Sequence, residues 1–288
     1  MKRMIKHSFI PAFDGLEGRQ LLTTLPETSH YAPALATFDG KIYIAWTGTD
    51  SRLNVESSSD GVHFGNKVTL PESSHAAPAL VAFGGRLDIA WTGTDSRLNV
   101  ESSPNGRLWG SKVTLNETSI AGPALAVFNG KLDIGWAGTD FFHHLNVESS
   151  SNGRNFGNKA TLDQTSDDGP ALAARGRDLS IEWTGTDSRL NVESSSDGVH
   201  FGNKHTSSDT SIAAPALTNA YGYLDVGWTG TDFFHHLNVA SSSGRREEIA
   251  ETSIAGPALT GFGGSLAIAW TGTDFFHHLN VGYLPPGL

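Results

Sequence analysis

The chain has 288 residues, a formal net charge of −10, 33 Gly and no Cys. That charge argues against a nucleic-acid backbone as partner, because phosphate binding needs clustered Lys and Arg. The missing Cys removes disulfide frameworks, thiolate catalysis and Cys-ligated zinc, and no run reaches the roughly 18 apolar residues that would predict membrane insertion.

Residues 1–19 are expected to form a flexible leader before the folded unit. Met1 to Lys6 is basic, but Pro11, Asp14 and Glu17 interrupt the next stretch, so an ordinary secretory signal with its apolar run of about 7–15 residues is not expected. The run Phe13-Asp14-Gly15-Leu16-Glu17-Gly18-Arg19-Gln20-Leu21-Leu22 resembles a short motif at the N-termini of many bacterial exported or surface proteins. That resemblance implies an extracellular or cell-surface location.

Residues 20–288 are expected to form one ring. Thr23-Thr24-Leu25-Pro26-Glu27-Thr28-Ser29 matches Val68-Thr69-Leu70-Pro71-Glu72-Ser73-Ser74, the end of the next unit, so the chain starts on an orphan fourth strand. Pro33 to Phe38 reads as a first strand, and Asp39-Gly40 as a type I′ hairpin turn with positive φ. Lys41 to Trp46 places Ile42, Ile44 and Trp46 on one face and Tyr43 and Ala45 on the other, a two-sided apolar strand between neighbouring sheets. Leu53 to Ser57 and Asn66 to Leu70 supply a third and a fourth strand. The unit recurs: Pro33 and Trp46, Pro78 and Trp91, Pro123 and Trp136, Pro170 and Trp183, Pro215 and Trp228, and Pro257 and Trp270 are each thirteen residues apart. Spacing that rigid means hairpins whose register cannot slip. Four-stranded units every 42 to 47 residues are the signature of propeller blades. The sixth unit ends after its third strand, Leu279 to Tyr283. The expected fold is therefore an all-β, six-bladed β-propeller of four-stranded antiparallel blades, in which the N-terminal strand completes the C-terminal blade and leaves no open sheet edge.

The turns between third and fourth strands carry Ser58-Ser59-Asp60-Gly61 with Phe64, Ser103-Pro104-Asn105-Gly106 with Trp109, Ser150-Ser151-Asn152-Gly153 with Phe156, and Ser195-Ser196-Asp197-Gly198 with Phe201. They resemble the Asp-box of sialidase-like propellers, with the aromatic one position early. In that family the box is a structural fold-back away from the catalytic face. From first to third strand, each unit is also similar to the repeat of PLL-like bacterial β-propeller lectins, as in Pro78-Ala79-Leu80-Val81-Ala82-Phe83, Gly85-Arg86-Leu87-Asp88-Ile89 and Gly93-Thr94-Asp95. That resemblance implies several sugar sites around the ring. The chain departs from the group in having six units where seven are usual, and Gly-Asn-Lys-Val-Thr-Leu where a Trp-rich fourth strand is usual.

Two loops are expected on one face. The inter-blade loop keeps an acid or amide, then Ser/Thr-Ser, in every unit, as in Glu72-Ser73-Ser74; a need that recurs in every blade reads as local bonding of loop backbone. The turn between second and third strands has two versions. Units one, two and four read Asp-Ser-Arg-Leu, with Arg52, Arg97 and Arg189. Units three, five and six insert two residues: Asp140-Phe141-Phe142-His143-His144, Asp232-Phe233-Phe234-His235-His236 and Asp274-Phe275-Phe276-His277-His278. Paired Phe beside imidazole and carboxylate groups could stack on a sugar ring and bond its hydroxyls; alternatively one Phe tucks back over the blade edge while the His pair is solvated. Adjacent His on an extended loop point to opposite sides, so no metal site is assigned, nor is any cofactor expected. The six Trp are read as core. Because Ser51 to Lys67 recurs as Ser188 to Lys204, the symmetry favours multivalent recognition. The sequence thus points to a non-catalytic, lectin-like propeller whose partners are glycans or glycoconjugates. A sialidase-like glycoside hydrolase and a protein-interaction scaffold are the alternatives.

Overall fold

The computed structural model describes residues 22–287. The expected leader, residues 1–19, lies outside them. A single strand, β1 (Thr23–Thr28), precedes the first complete blade. That blade comprises β2 (Ala34–Phe38), β3 (Lys41–Thr47), β4 (Arg52–Ser58) and β5 (Gly65–Ser73). Blade two is β6 (Ala79–Phe83), β7 (Arg86–Thr92), β8 (Arg97–Ser103) and β9 (Gly110–Thr118), and blade three is β10 (Ala124–Phe128), β11 (Lys131–Ala137), β12 (His144–Ser150) and β13 (Gly157–Thr165). Blade four is formed by β14 (Ala171–Arg175), β15 (Asp178–Thr184), β16 (Arg189–Ser195) and β17 (Gly202–Thr210). Blade five is β18 (Ala216–Ala220), β19 (Tyr223–Thr229), β20 (His236–Ser241) and β21 (Arg246–Thr252). Blade six has β22 (Ala258–Phe262), β23 (Ser265–Thr271) and β24 (His278–Leu284), and takes β1 as its fourth strand.

The protein is therefore a six-bladed β-propeller of four-stranded antiparallel blades. Closure is by pairing of Thr23 with Val281 and Thr24 with Asn280, so the first and last strands hide each other's edge. The short hairpins have the anticipated chemistry: Asp39 and Gly40 adopt φ of 48° and 69°, the two successive left-handed residues a type I′ turn requires.

Packing stems from strand alternation. Residues such as Ile44 and Trp46 face one neighbouring blade while Ala45, Val55 and Leu70 face the other, and five of the six blade interfaces close as a layer of aliphatic side chains around a Trp. The six repeat Trp are at most 3% exposed, as expected for core residues. Where the sequence shows an Asp-box-like turn, the acid or amide folds the loop: Asp60 Oδ1 accepts the amides of Val62 and His63, and Asn105 Oδ1 those of Arg107 and Leu108. Phe64, Trp109, Phe156 and Phe201 then pack against the blade interfaces. No helix among the described residues is long and apolar enough to cross a membrane.

Candidate functional site

The rim is built from the inter-blade loop upward. In all six units the loop Ser is at most 1% exposed among Ser29, Ser74, Ser119, Ser166, Ser211 and Ser253. Its amide donates to the turn of the blade just completed, as from Ser74 to the Ser51 carbonyl (2.9 Å) and from Ser166 to the His143 carbonyl (3.2 Å). Its hydroxyl donates onward to the end of the second strand of the next blade, Ser74 Oγ to the Thr92 carbonyl (2.8 Å) and Ser166 Oγ to the Thr184 carbonyl (2.8 Å). One small buried side chain thus ties two blades and a turn together, which accounts for its recurrence without any ligand.

The acid of the same motif also has a structural partner. Glu27, Glu72 and Glu117 pair with Lys67, Lys112 and Lys159 of the next blade. Each Lys Nζ lies over the neighbouring Trp ring, 5.1 Å from the centroid for Lys67 and Trp46, a cation–π contact. Sequence reading missed this bridge; a Lys at a fixed place in the fourth strand was its signal.

On that scaffold the two turn types diverge. The short turns hold Ser51, Ser96 and Ser188 at φ of 64–66°, and the long turns hold His143, His235 and His277 in the same left-handed conformation at 55–58°. The two extra residues therefore enter ahead of a shared geometry. In the long turn Asp140 accepts the amides of Phe142 and His144 (both 3.1 Å) and the His144 Nδ1–H (2.7 Å). Asp232 and Asp274 repeat the pattern. Burial pushes these carboxyls up but is outweighed by the hydrogen bonds from the His and the two amides, leaving all three below the ordinary Asp range and charged. The preceding glycine is required: a Cβ on Gly138 would sit 2.8 Å from Asp140 Oδ2. Each Asp is thus engaged mainly with its own loop.

The rings face outward. Phe141, Phe233 and Phe275 are each 90% exposed, and Phe142, Phe234 and Phe276 are 62–64% exposed, so neither Phe tucks over the blade edge. Within each turn the two Phe rings meet edge to face at 5.1 Å, and the second Phe meets the ring of the second His (His144, His236 or His278) at 5.7–5.8 Å. The result is three upright Phe-Phe-His ladders on blades three, five and six. His144, His236 and His278 have Nδ1 committed to Asp, which leaves Nε2 as the outward polar atom. The other His differ by site: His143 Nδ1 bonds Asp167 (2.9 Å), and His277 meets His30 (3.1 Å). Among the described residues no group of three or more His, Cys, Asp or Glu is arranged to hold a metal ion.

The Arg of the short turns do not converge. Arg52 Nε donates to the Leu70 carbonyl (3.3 Å) and Arg97 Nε to the Leu115 carbonyl (3.2 Å), each within its own blade.

No family model matches the chain, and no curated protein matches it in sequence. Among solved structures, a Dyadobacter fermentans protein of unknown function superposes with a TM-score of 0.69 at 12% identity, over 92% of this chain and 98% of its own. A variant of Aleuria aurantia lectin in complex with α-methyl-L-fucoside gives 0.64 at 11% identity, over 92% and 97%. Trypanosoma rangeli sialidase in complex with sialic acid gives 0.65 at 14% identity, over 89% of this chain; the chain spans only about half of that enzyme (54%). At these identities the likeness establishes the propeller fold alone.

Proposed function

We propose that this chain is a multivalent, lectin-like propeller that binds glycans or glycoconjugates through its three long rim turns and does not catalyse their cleavage. The observation that carries the reading is the threefold display of a rigid, solvent-facing aromatic ladder, Phe141-Phe142-His144 and its two counterparts. Apolar rings are normally covered when nothing binds them. Here an Asp holds each loop in a shape that keeps them uncovered. Aromatic faces suit the C–H face of a sugar, while the free imidazole nitrogens, with the residual lone pairs of Asp140, Asp232 and Asp274, suit its hydroxyls. The PLL-like character of the repeat and the fold shared with a fucoside-bound lectin support the same class of ligand. Three weak sites on one rigid ring gain avidity for clustered glycans.

The lack of turnover is supported by the Arg side chains. A carboxylate clamp would need them gathered at one point, whereas Arg52 and Arg97 are each tied within their own blade.

The experiment is a glycan array probed with the wild-type chain and with a Phe142→Ala/Phe234→Ala/Phe276→Ala variant. Binding to clustered glycans by the first and at least a tenfold loss in the second is expected. A blank array, or equal signals from both, would remove the reading. Release of fluorophore from a sialoside would replace it with the hydrolase.

A further inference from the structure

The interface between blades four and five departs from the other five. Those five each close on an apolar cluster that includes Leu70, Leu115, Leu162, Ile249 or Leu25. At the matching place in blade four stands Ser207. On the second strand of the blade, the residue paired with the first Ala of the inner strand is Ala45, Ala90, Gly135, Gly227 or Ala269 in the other blades, but Glu182 here. On the facing blade, the strand-three position held by Glu56, Glu101, Glu148 and Glu193 in blades one to four is Ala240, and in blade six it is Gly282; only at the four/five interface does this loss coincide with the other two changes. Two large side chains are missing and a carboxyl is added, all around one point.

The outcome is a cleft of about 470 Å³ lined by Glu182, Ser207 and Asp209 on one side and by Leu217, Leu224 and Val226 on the other. That volume falls in the range of small-molecule sites, about 300–1,000 Å³. Glu182 is 7% exposed and has no hydrogen-bond or ion-pair partner among the described residues. Burial, then the nearby Asp209, push its carboxyl up to about 8. Asp209 stays ionised: burial pushes it up, but Arg246 and the Ser207 hydroxyl (2.6 Å) hold it below the ordinary range. Arg246 lies over the Trp228 ring. The charged or titratable groups around Glu182 are therefore Asp209 with its Arg246, and His205 on the wall of the cleft. Glu193 and Lys204 of the same blade belong to the other face, where Lys204 covers Trp183.

We propose that this cleft binds a small apolar ammonium ion, a protonated primary amine whose charge meets Glu182 and whose hydrocarbon body lies on Leu217, Leu224 and Val226. Two acids on one wall reject a carboxylate or phosphate and favour a cation. The opposite wall is mainly hydrocarbon, with Ser241 and Ser242 as its polar residues, so a polyhydroxylated ligand would leave most of its hydroxyls unpaired, whereas an alkyl or aryl amine matches both walls. A carboxyl that borders an unfilled cleft without a protein partner otherwise only weakens the interface, and a cationic ligand removes both faults. The site is separate from the rim and stands independently of the glycan reading.

The test is calorimetric titration of the full chain at pH 7 with benzylamine and, as its neutral isostere, benzyl alcohol, in two buffers of different ionisation enthalpy. Benzylamine is expected to bind one to one, at least tenfold tighter than benzyl alcohol, with release of close to one proton as Glu182 ionises. Glu182→Gln should bring the amine down to the alcohol's affinity and abolish proton release. Ser207→Leu, which restores the residue type of the other interfaces, should eliminate binding while leaving unfolding cooperative. Equal affinity of alcohol and amine, no amine binding up to millimolar concentrations, or amine binding unchanged in Ser207→Leu would each overturn the proposal.

Discussion

The six rim turns share one scaffold and differ in what they show to solvent. In the short turns of blades one, two and four, a left-handed Ser gives its carbonyl to the next inter-blade Ser, and in the first two of them an Arg lies back along its own blade. In the long turns of blades three, five and six a left-handed His makes the same backbone bond, and the two inserted residues stand outward as a Phe pair. Structure and display are therefore separable on this rim. The buried Ser and the turn Asp fix the loop. The insertion decides what it presents.

Substitutions on either side of that division have different expected costs. The largest loss of stability is expected from the shared scaffold: Ser119→Ala, below a short turn, and Ser166→Ala, below a long one, should each cost about 1–3 kcal/mol by stranding a buried carbonyl. Urea unfolding measures both, and clearly unequal losses would show that the two turn types rest on different supports.

The opposite face supplies a control. Asp133 and Asp88 are pushed up, to about 7 and about 6, mainly by burial, and one oxygen of each has no partner. An acid raised in the folded state keeps a proton that the unfolded chain has already released, so stability falls as pH rises from about 4 towards 7. Asp133→Asn should flatten that slope and recover on the order of 1 kcal/mol near pH 8, after allowance for solvent screening. Rim binding should not change. A slope unaffected by the substitution would place the titration elsewhere.

Smaller effects belong to the display. Asp140→Ala should loosen one long turn at about 0.5–1 kcal/mol, because it removes the acceptor of two amides and an imidazole. Faster hydrogen exchange confined to the amides of Phe142 and His144 would report it. Phe142→Ala alone should change stability by less than about 0.5 kcal/mol, as for an exposed side chain without a packing role; a larger drop in melting temperature would mean that the ring packs rather than presents.

Much of this architecture was legible in the sequence, for a physical reason. Hairpins of fixed length force a fixed Pro-to-Trp spacing, so the six pairs from Pro33 and Trp46 to Pro257 and Trp270 counted the blades, and the mismatch between Thr23 to Ser29 and the truncated last unit disclosed the closure. The buried Trp and the structural inter-blade Ser emerged from the same repetition. Local spacing was silent on contacts between repeats. That the Asp140 carboxylate is occupied by its own loop depends on how the two inserted residues curl. Nor do Glu182, Ser207 and Ala240 stand out as a group along the chain. They lie in different strands of two repeats and meet only because one face of blade four packs on blade five.

On the proposed function, the inserted Phe-Phe pairs are the recognition element of a scaffold that does not need them. The most direct measurement is glycan-array binding, alongside thermal unfolding, of a variant in which all three long turns are rebuilt as Asp-Ser-Arg-Leu. A melting temperature close to wild type with glycan binding abolished is the result expected. A variant that still binds the same glycans, or one that no longer folds, would contradict the separation of scaffold from display.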